Sequence, residues 1–573
     1  MKKIIITFFA SVLVLIGSLR AQTVQDGINF LYEEREQSAK GVFDKLLEVN
    51  PNNIEATYWL GQTYIAMDNI PAARQVYEKA LAASANAPLL IVGLGHVELL
   101  ENKPSDARQR FETAITMTHT KKGDDPDILN AIGRANVDAK AGDLAYAIDK
   151  LEAAAQRNSK NPDIFLNLGN AYRKARPGEN GGLAYTNYKK AIDINPNFAI
   201  AYYRIAKLFE TQQNWDLFIE NLDQTVAKDP GFGPAYYDLY YYYLLKVDPS
   251  TGKIDFAKAD DYAKKYIANT DPDVQNDYLR AQTLWAQKNY NEAISIAQGI
   301  VSKAGDKTLP RTYKLLAYCF VEKGDTLQAK NYIDQYFAKE KPEKIIPLDY
   351  LLKANIYSGV GNNPDAVVKT FIEAANADTT ITGKINLLKR GADLMKTKGN
   401  RAQEANLREL IFKTNPSPSN LDIFNWGLAL FFDSSYARAD SVFGLYSAKY
   451  PDQTFGWQWQ FNSERQMDTS MEKGLAVPIA TKYLELLAKD SLKNKTSIMG
   501  VAGYLAQYYA NIAKDATKAL VYINEMLALD PGNANLNDVK KSLEDSLKKP
   551  APNQKNTNGG NTSNQAATNG NKQ

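Results

Sequence analysis

The sequence of residues 54–83 is IEATYWLGQTYIAMDNIPAARQVYEKALAA, and it decides the fold. This stretch holds a small residue, an aromatic residue and a second small residue at helical spacing: Ala73, Tyr77 and Ala80. Similar sets lie 34 residues before it and 34 residues after it: Ala39, Phe43 and Leu46, then Ala107, Phe111 and Ala114. A fixed period of this length predicts stacked helical units, because no single unit can bury its apolar face alone.

Small residues, turns and prolines follow the same period. Glycine or alanine at the eighth and twentieth positions of a unit lets two helices approach closely, as Gly61 and Ala73 illustrate. Glycine also tolerates the left-handed geometry that ends a helix, so turns are predicted at Gly142-Asp143, Gly324-Asp325 and Gly399-Asn400. Helices should stop before four prolines that follow Asn or Asp: Pro51, Pro196, Pro230 and Pro531.

These residues resemble the tetratricopeptide repeat family, whose unit is a pair of helices with small residues where they touch. The resemblance implies an all-α, right-handed superhelical solenoid of about 13 helix-turn-helix repeats over residues 22–530. The repeat is least regular over 452–498, where a helix from Leu475 to Ala488 looks longer than the family's. Residues 531–548 should form a capping helix, and the Asn/Gln/Gly-rich residues 549–573 a disordered tail.

The first 21 residues have the composition of a secretory signal peptide. Lys2 and Lys3 precede an apolar run from Ile4 to Ile16, and Ala21 offers a small residue at a cleavage site. The alternative is a retained membrane anchor, although the run is short for a span. Because Cys319 is the only cysteine, the chain lacks a lipid-bearing cysteine near the cut. The sequence therefore predicts export, to the periplasm or the outer membrane of a Gram-negative bacterium.

Charge and composition point away from several function classes. The chain has 44% hydrophobic residues and 34 tyrosines, which excludes a largely disordered protein. Its formal charge of +3 falls to zero if the cations of residues 1–21 are removed, so nucleic-acid binding is not expected. His96 and His119 are the only histidines, and no catalytic, metal-binding or cofactor motif accompanies them. The sequence predicts a non-catalytic protein without metal or cofactor.

In the resembling family, the first helix of each pair lines a concave groove that binds peptides. Asn167, Asn170, Arg204 and Lys207 fall at groove positions in successive repeats. Asn167 and Arg204 resemble two parts of the carboxylate clamp by which some members hold a partner's C-terminus. The other lysines and asparagine of that clamp do not match, so an ordinary polar groove wall is the alternative.

Two aromatic clusters are further candidates for partner contact. Tyr236 and Tyr240 belong to six tyrosines on one helix, which cannot all face the core. Trp457 and Trp459 lie in the irregular repeat, where packing is the alternative to ligand contact. Tyrosine and tryptophan offer large contact areas with a polar tip, a combination common at interfaces.

The expected function is a protein-binding scaffold or adaptor of the bacterial envelope that captures a peptide segment or partner protein in its groove. One alternative is a glycan-binding or nutrient-uptake accessory, which would normally carry a lipid-anchored cysteine and large loop insertions. Another is a structural component of a secretion or envelope-assembly complex. Repeat residues form the scaffold, so the sequence does not choose between these functions.

Overall fold

A computed structural model of the chain describes residues 22–83, 87–247, 251–361 and 363–548. The described residues form 29 α-helices and no strand; two isolated β-bridges join Thr120 to Gly123 and Val247 to Ile254. The chain divides into an N-terminal unit that ends at Lys323 and a C-terminal unit that begins at Gly324. The predicted signal peptide and the predicted tail lie outside the described residues.

The N-terminal unit consists of helices that pack in consecutive pairs, α1 with α2 through α15 with α16. Its helices are α1 (Val24–Tyr32), α2 (Glu36–Val49), α3 (Ile54–Ala66), α4 (Ile70–Ala83), α5 (Pro88–Leu100), α6 (Pro104–Thr118), α7 (Pro126–Asp138), α8 (Leu144–Arg157), α9 (Pro162–Ala175), α10 (Gly181–Ile194), α11 (Ala199–Thr211), α12 (Trp215–Lys228), α13 (Gly233–Leu245), α14 (Phe256–Ala268), α15 (Tyr278–Ala286), α16 (Tyr290–Ala304) and α17 (Pro310–Glu322). Short 3-10 segments lie at Val274–Asp277 and Gly305–Lys307.

The C-terminal unit repeats this pairing, α19 with α20 through α27 with α28. Its helices are α18 (Thr326–Lys339), α19 (Pro347–Gly359), α20 (Pro364–Ala377), α21 (Ile381–Thr397), α22 (Arg401–Thr414), α23 (Asn420–Phe432), α24 (Tyr436–Lys449), α25 (Thr454–Met467), α26 (Val477–Leu487), α27 (Lys495–Asn511), α28 (Ala516–Leu529) and α29 (Ala534–Lys548). The all-helical repeat architecture is thus confirmed, and the number of repeats stays a prediction.

The glycines of the first helices lie where an aromatic or leucine side chain of the second helix crosses them, as predicted. A methyl group at Gly61 would lie within 3.0 Å of the Tyr77 ring, and one at Gly95 would lie within 3.0 Å of Phe111. The same relation holds at Gly27, Gly133, Gly169 and Gly427. Tyr77 is fully buried and cannot swing aside. Close helix packing therefore requires glycine at this position of the repeat.

We expect Gly61→Ala to lower the free energy of unfolding by about 1–3 kcal/mol, because the added methyl group overpacks the seam against Tyr77. Gly41→Ala is the matched control, since a methyl group at this helical glycine of α2 meets nothing within 4 Å. It should raise stability by up to about 1 kcal/mol through helix propensity. Urea denaturation of both variants tests the opposite signs; equal effects would refute the packing explanation.

The predicted helix stops are confirmed: α2, α10, α12 and α28 each end immediately before an Asn-Pro or Asp-Pro pair. Two of the predicted turn glycines, Gly324 and Gly399, have φ values of 75° and 74°, in the left-handed region. The expectation was wrong for Gly142, which is not among the residues of positive φ. Glycine is needed there because a side chain would overlap the backbone carbonyl of Asn136.

The irregular repeat differs from the prediction in one respect. The helix expected over Leu475–Ala488 is the shorter α26, Val477–Leu487. Residues 468–476 instead form turns, in which the Asp468 carboxylate accepts hydrogen bonds from the backbone amides of Lys473 (3.3 Å) and Leu475 (3.2 Å). The first two residues of the predicted helix therefore belong to the loop between α25 and α26.

Residues 531–548 contain α29, which packs on α28. Leu536 and Leu543 lie against the core cluster that includes Ile523 and Met526, while no residue of α29 is fully buried. The helix thus covers apolar residues of the preceding pair with one face and leaves a polar face outward.

Candidate functional site in the N-terminal unit

The N-terminal unit contains a cavity of about 960 Å³ that is open to solvent, at the upper end of the range for small-ligand pockets. The second residue of each of six first helices lies in its wall, one from each of α1, α3, α5, α7, α9 and α11. These residues are Gln25, Glu55, Leu89, Asp127, Asp163 and Ile200. The first helices of the pairs therefore face the interior, as the family resemblance implies.

Asp163 is the polar centre of this interior. One carboxylate oxygen accepts a hydrogen bond from the Tyr32 hydroxyl of α1. The other accepts from the Arg134 guanidinium, from Asn130 (2.8 Å) and from Asn167 (3.3 Å). A single carboxylate thereby joins α1 to α7 and α9, helices that are far apart in the sequence.

The Arg134 guanidinium is held between an aromatic ring and this carboxylate. It lies 4.4 Å from the centre of the Trp59 ring and forms an ion pair with Asp163. Burial by itself disfavours the charged form, but Asp163 and nearby tyrosines outweigh it and raise the pKa of Arg134. Burial and then Asp163 raise the pKa of Tyr32, so its hydroxyl stays protonated and donates. The wall of the cavity thus already holds one cation by ring and carboxylate contacts.

The first helix pair also closes onto the later pairs of the same unit. The Tyr32 ring packs edge-on against Phe198, with ring centres 6.0 Å apart. At the start of α2, Asp271 accepts hydrogen bonds from the backbone amide of Gln37 (2.7 Å) and from the Ser38 hydroxyl (2.6 Å). Since the α2 N-cap residue Arg35 makes no side-chain capping bond, Asp271 caps this helix from a distant turn.

We expect Asp271→Ala to cost about 1 kcal/mol locally, because it removes the carboxylate that caps α2. Amide hydrogen exchange in the first turn of α2 should accelerate by about fivefold relative to the wild type. Asp273→Ala is the control, since Asp273 caps its own 3-10 turn two residues away. Unchanged exchange in α2 after Asp271→Ala would contradict the capping role.

Two carboxylates face each other where α1 meets the end of α12. A methyl group on Gly231 would lie 3.1 Å from an oxygen of Asp229 and 3.6 Å from one of Glu33. Burial, and then the neighbouring Asp229, raise the pKa of Glu33 to about 7 despite its 3.2 Å ion pair with Arg35. This end of the cavity is therefore rich in negative charge.

None of the four predicted groove residues lines the cavity, and three of them already contact other side chains of the protein. Asn167 is buried and donates to Asn130 (2.9 Å) as well as to Asp163. Asn170 accepts a hydrogen bond from the Tyr188 hydroxyl (2.8 Å). Lys207 pairs with Asp238 (3.1 Å) and Glu210 (2.5 Å).

Arg204 differs from these three because its buried Nε has no hydrogen-bond partner within the described residues. Asn167 donates a hydrogen bond to the carboxylate of Asp163 in the same chain. In a carboxylate clamp, the same amide would donate to the carboxylate of a partner. Whether these residues contact a partner stays a prediction.

The aromatic candidates are mostly packed into the protein. Tyr240 is fully buried and its hydroxyl donates to the Leu279 carbonyl (2.9 Å), so it offers no surface to a partner. Tyr236 is 8% exposed and donates to the Pro230 carbonyl. In the C-terminal unit, Trp459 packs on several phenylalanines, and the half-buried Trp457 donates to the Pro451 carbonyl (3.1 Å). Burial favours packing roles for these side chains.

The sequence did not single out Asp163 or Arg134, because an acidic residue after a helix-starting proline suggests only a favourable first turn. The second position of the first helices is one of the groove positions that the family resemblance implies, and this periodic position does lie in the wall. In the described residues, no cluster of three potential metal ligands occurs. Cys319 is buried, and burial raises the pKa of its thiol to about 12, which makes it unreactive.

Comparison with known proteins agrees with the repeat. A family model described as tetratricopeptide repeat matches residues 30–89. No curated protein matches the sequence. In the described ranges, no helix is both long and apolar enough to cross a bilayer.

Several solved structures are similar to the chain. The C-terminal part of a tetratricopeptide repeat-containing protein from Cytophaga hutchinsonii is 25% identical, with 46% of this chain and 98% of that one covered (TM-score 0.27). A tetratricopeptide repeat protein from Parabacteroides merdae is 18% identical over 46% and 98% of the two chains (TM-score 0.37). Yeast Tom70 is 12% identical over 73% and 94% (TM-score 0.35).

The matched repeat, the continued pairing of helices and the glycine contacts between them identify the chain as a tetratricopeptide repeat protein. Such folds serve as scaffolds for protein interactions.

Proposed function

We propose that the protein is a non-catalytic scaffold of the bacterial cell envelope and that the cavity of its N-terminal unit captures a segment of a partner protein. The observation that carries the proposal is the cavity wall, to which six successive first helices contribute the same position. Repetition of that kind presents side chains at regular intervals along an extended peptide. Several weak contacts spread over neighbouring repeats would supply the affinity.

The polar lining supports an interaction with backbone as well as side chains. Three exposed asparagines of the cavity wall, Asn29, Asn195 and Asn197, can both donate to and accept from a peptide backbone. Asn130 and Asn161 already donate hydrogen bonds within the protein, to Asp163 and Asp127. Export rests on residues 1–21 of the sequence, whose apolar run and small-residue cleavage site motivate the envelope location.

Site-specific photocrosslinking in native envelopes tests the capture of a segment. A photoreactive amino acid replaces Asn29 or Asn197, exposed residues at the cavity, or, as matched controls, Glu48 or Lys79, exposed residues of second helices. We expect one partner protein to crosslink from both cavity positions and from neither control position. Crosslinks from the controls alone, or none from the cavity, would overturn the proposal.

The alternatives predict other results in the same material. A glycan-binding accessory would bind on a glycan array and would give no protein crosslinks from the cavity. A structural component of an assembly complex would crosslink over broad surfaces that include the second helices. Fractionation of the envelope tests the location directly, since an exported protein must be recovered outside the cytoplasm without residues 1–21.

A further inference from the structure

We propose that the segment bound in the cavity is basic, with lysine or arginine side chains placed against the carboxylates of Glu55, Asp127 and Asp229. This inference rests on the proposed function and adds the chemical class of the partner. The alternative occupant, an acidic segment such as a C-terminal carboxylate, is an outcome that the experiment below distinguishes.

The charges of the cavity wall carry the inference. Five lining residues are acidic and two, Arg134 and Lys228, are basic. Arg134 is already paired with Asp163, and the acidic Glu33 is paired with Arg35 from outside the wall.

The remaining carboxylates are Glu55, Asp127 and Asp229, which form no ion pair within the described residues. Among the lining residues, only Lys228 is left to balance them. The empty space is therefore surrounded by an excess of negative charge, which attracts a cationic ligand and repels an anionic one.

The raised pKa values of two carboxyl groups in the wall agree with this excess of negative charge. Burial, and then the neighbouring Asp125, raise the pKa of Asp127 even though Asn161 donates a hydrogen bond to it. Glu33 and Asp229, also in the wall, lie near each other beside Gly231. A nearby cation stabilises the charged form of carboxylates in such positions, because it offsets both their desolvation and their mutual repulsion.

Aromatic residues of the cavity wall add a second kind of contact for a cation, the face of a ring. The half-buried Tyr32 and Phe198 line the cavity together with Trp59, whose ring centre lies 4.4 Å from the Arg134 guanidinium. Arg134 thus shows, inside the protein, the environment that a ligand lysine or arginine would meet: an aromatic face on one side and a carboxylate on the other. A basic segment would use the same chemistry at the open positions of the wall.

The test compares three short fluorescein-labelled peptides that differ only in three positions, which are all lysine, all glutamine or all glutamate. Fluorescence anisotropy with the full-length mature protein should show binding of the lysine peptide, with weaker binding at higher salt. The glutamine peptide should bind about tenfold more weakly, and the glutamate peptide more weakly still. Equal or tighter binding of the glutamate peptide would overturn the inference.

A triple variant locates the site. Glu55→Gln/Asp127→Asn/Asp229→Asn should weaken binding of the lysine peptide by about tenfold. The control, Glu48→Gln/Glu78→Gln/Asp149→Asn, makes the same change in net charge on exposed residues of second helices. It should change binding by less than about twofold, and an equal loss in both variants would overturn the inference.

The photocrosslinked partner separates this inference from the proposed function. If the peptide crosslinked at Asn29 or Asn197 is acidic, capture in the cavity stands and its basic character is refuted. If the cavity positions give no crosslink, the proposed function itself fails. A crosslinked peptide rich in lysine and arginine supports both.

Discussion

Asp163→Ala should lower the free energy of unfolding of the N-terminal unit by about 3–5 kcal/mol, because it removes the carboxylate that is paired with the buried guanidinium of Arg134. The same change removes the acceptor for Tyr32, Asn130 and Asn167. The contact between α1 and α9 should open first. Urea denaturation gives the total loss, and hydrogen exchange in α1 shows where it occurs.

The double variant Asp163→Ala/Arg134→Met is the control for this interpretation. Replacing both partners of a buried ion pair by apolar groups is often close to neutral, so the second change should recover part of the stability lost by the first. A loss below about 1 kcal/mol for Asp163→Ala alone would show that the ion pair is not the centre of the interior. A double variant less stable than the single one would contradict the buried-charge explanation.

The second large effect is a loss of stability in acid that depends on His96. The imidazole Nδ1 donates to the side-chain oxygen of Gln62 (3.1 Å), whose amide donates to the Tyr77 hydroxyl (2.9 Å). Tyr77 in turn donates to the Tyr58 carbonyl (2.9 Å), so one buried chain of hydrogen bonds runs through α3, α4 and α5. The other imidazole nitrogen is buried and has no partner within the described residues. The site accommodates the neutral ring only.

Burial, and then the charge of Arg134, lower the pKa of His96 from 6.5 to about 3. Between these values the unfolded chain binds a proton that the folded chain does not, so stability falls as the pH drops below 6.5. The expected loss is about 1.4 kcal/mol for each pH unit, or roughly 3 kcal/mol by pH 4. Urea denaturation at pH 8, 6, 5 and 4 measures it.

His96→Asn tests the assignment, because an asparagine amide can donate to Gln62 but does not titrate. The difference in stability between the wild type and this variant should change with pH by the slope given above, since both chains share every other titration. His119→Asn removes the other histidine, which lies exposed in a turn, and should leave the acid loss in place. If the acid loss persists unchanged in His96→Asn, another group causes it.

The repeat could be predicted from the sequence because its determinants are local. Gly61 and Tyr77 belong to one helix pair. Their contact follows from the helical period of the two helices and the short turn between them. The helix stops at Asn-Pro and Asp-Pro pairs were predicted for the same reason. The prediction for Gly142 was wrong because its requirement comes from the carbonyl of Asn136 and not from its own backbone angles.

The candidate site could be predicted only in outline. Asn167 was found because it occupies a groove position of the repeat, and its partner Asp163 lies one turn earlier on the same helix. Its other partner, Asn130, lies in a different first helix, α7. Tyr240 was selected as an interface residue, whereas the structure uses its hydroxyl to bond the Leu279 carbonyl in the core. No spacing rule gives Asn130 or Leu279 as a partner, since such contacts depend on how successive pairs rotate about the axis of the unit.

The architecture follows from the amino-acid sequence alone: helices in pairs, glycine where the two helices of a pair cross, and helix stops between the pairs. These features rest on interactions between residues that are near in the chain. Only the tertiary structure decided that α1 contacts α9, that Asp271 caps α2, and that the second positions of six helices surround one cavity. The reason is geometric, because small rotations between neighbouring repeats accumulate until residues more than 100 positions apart come together.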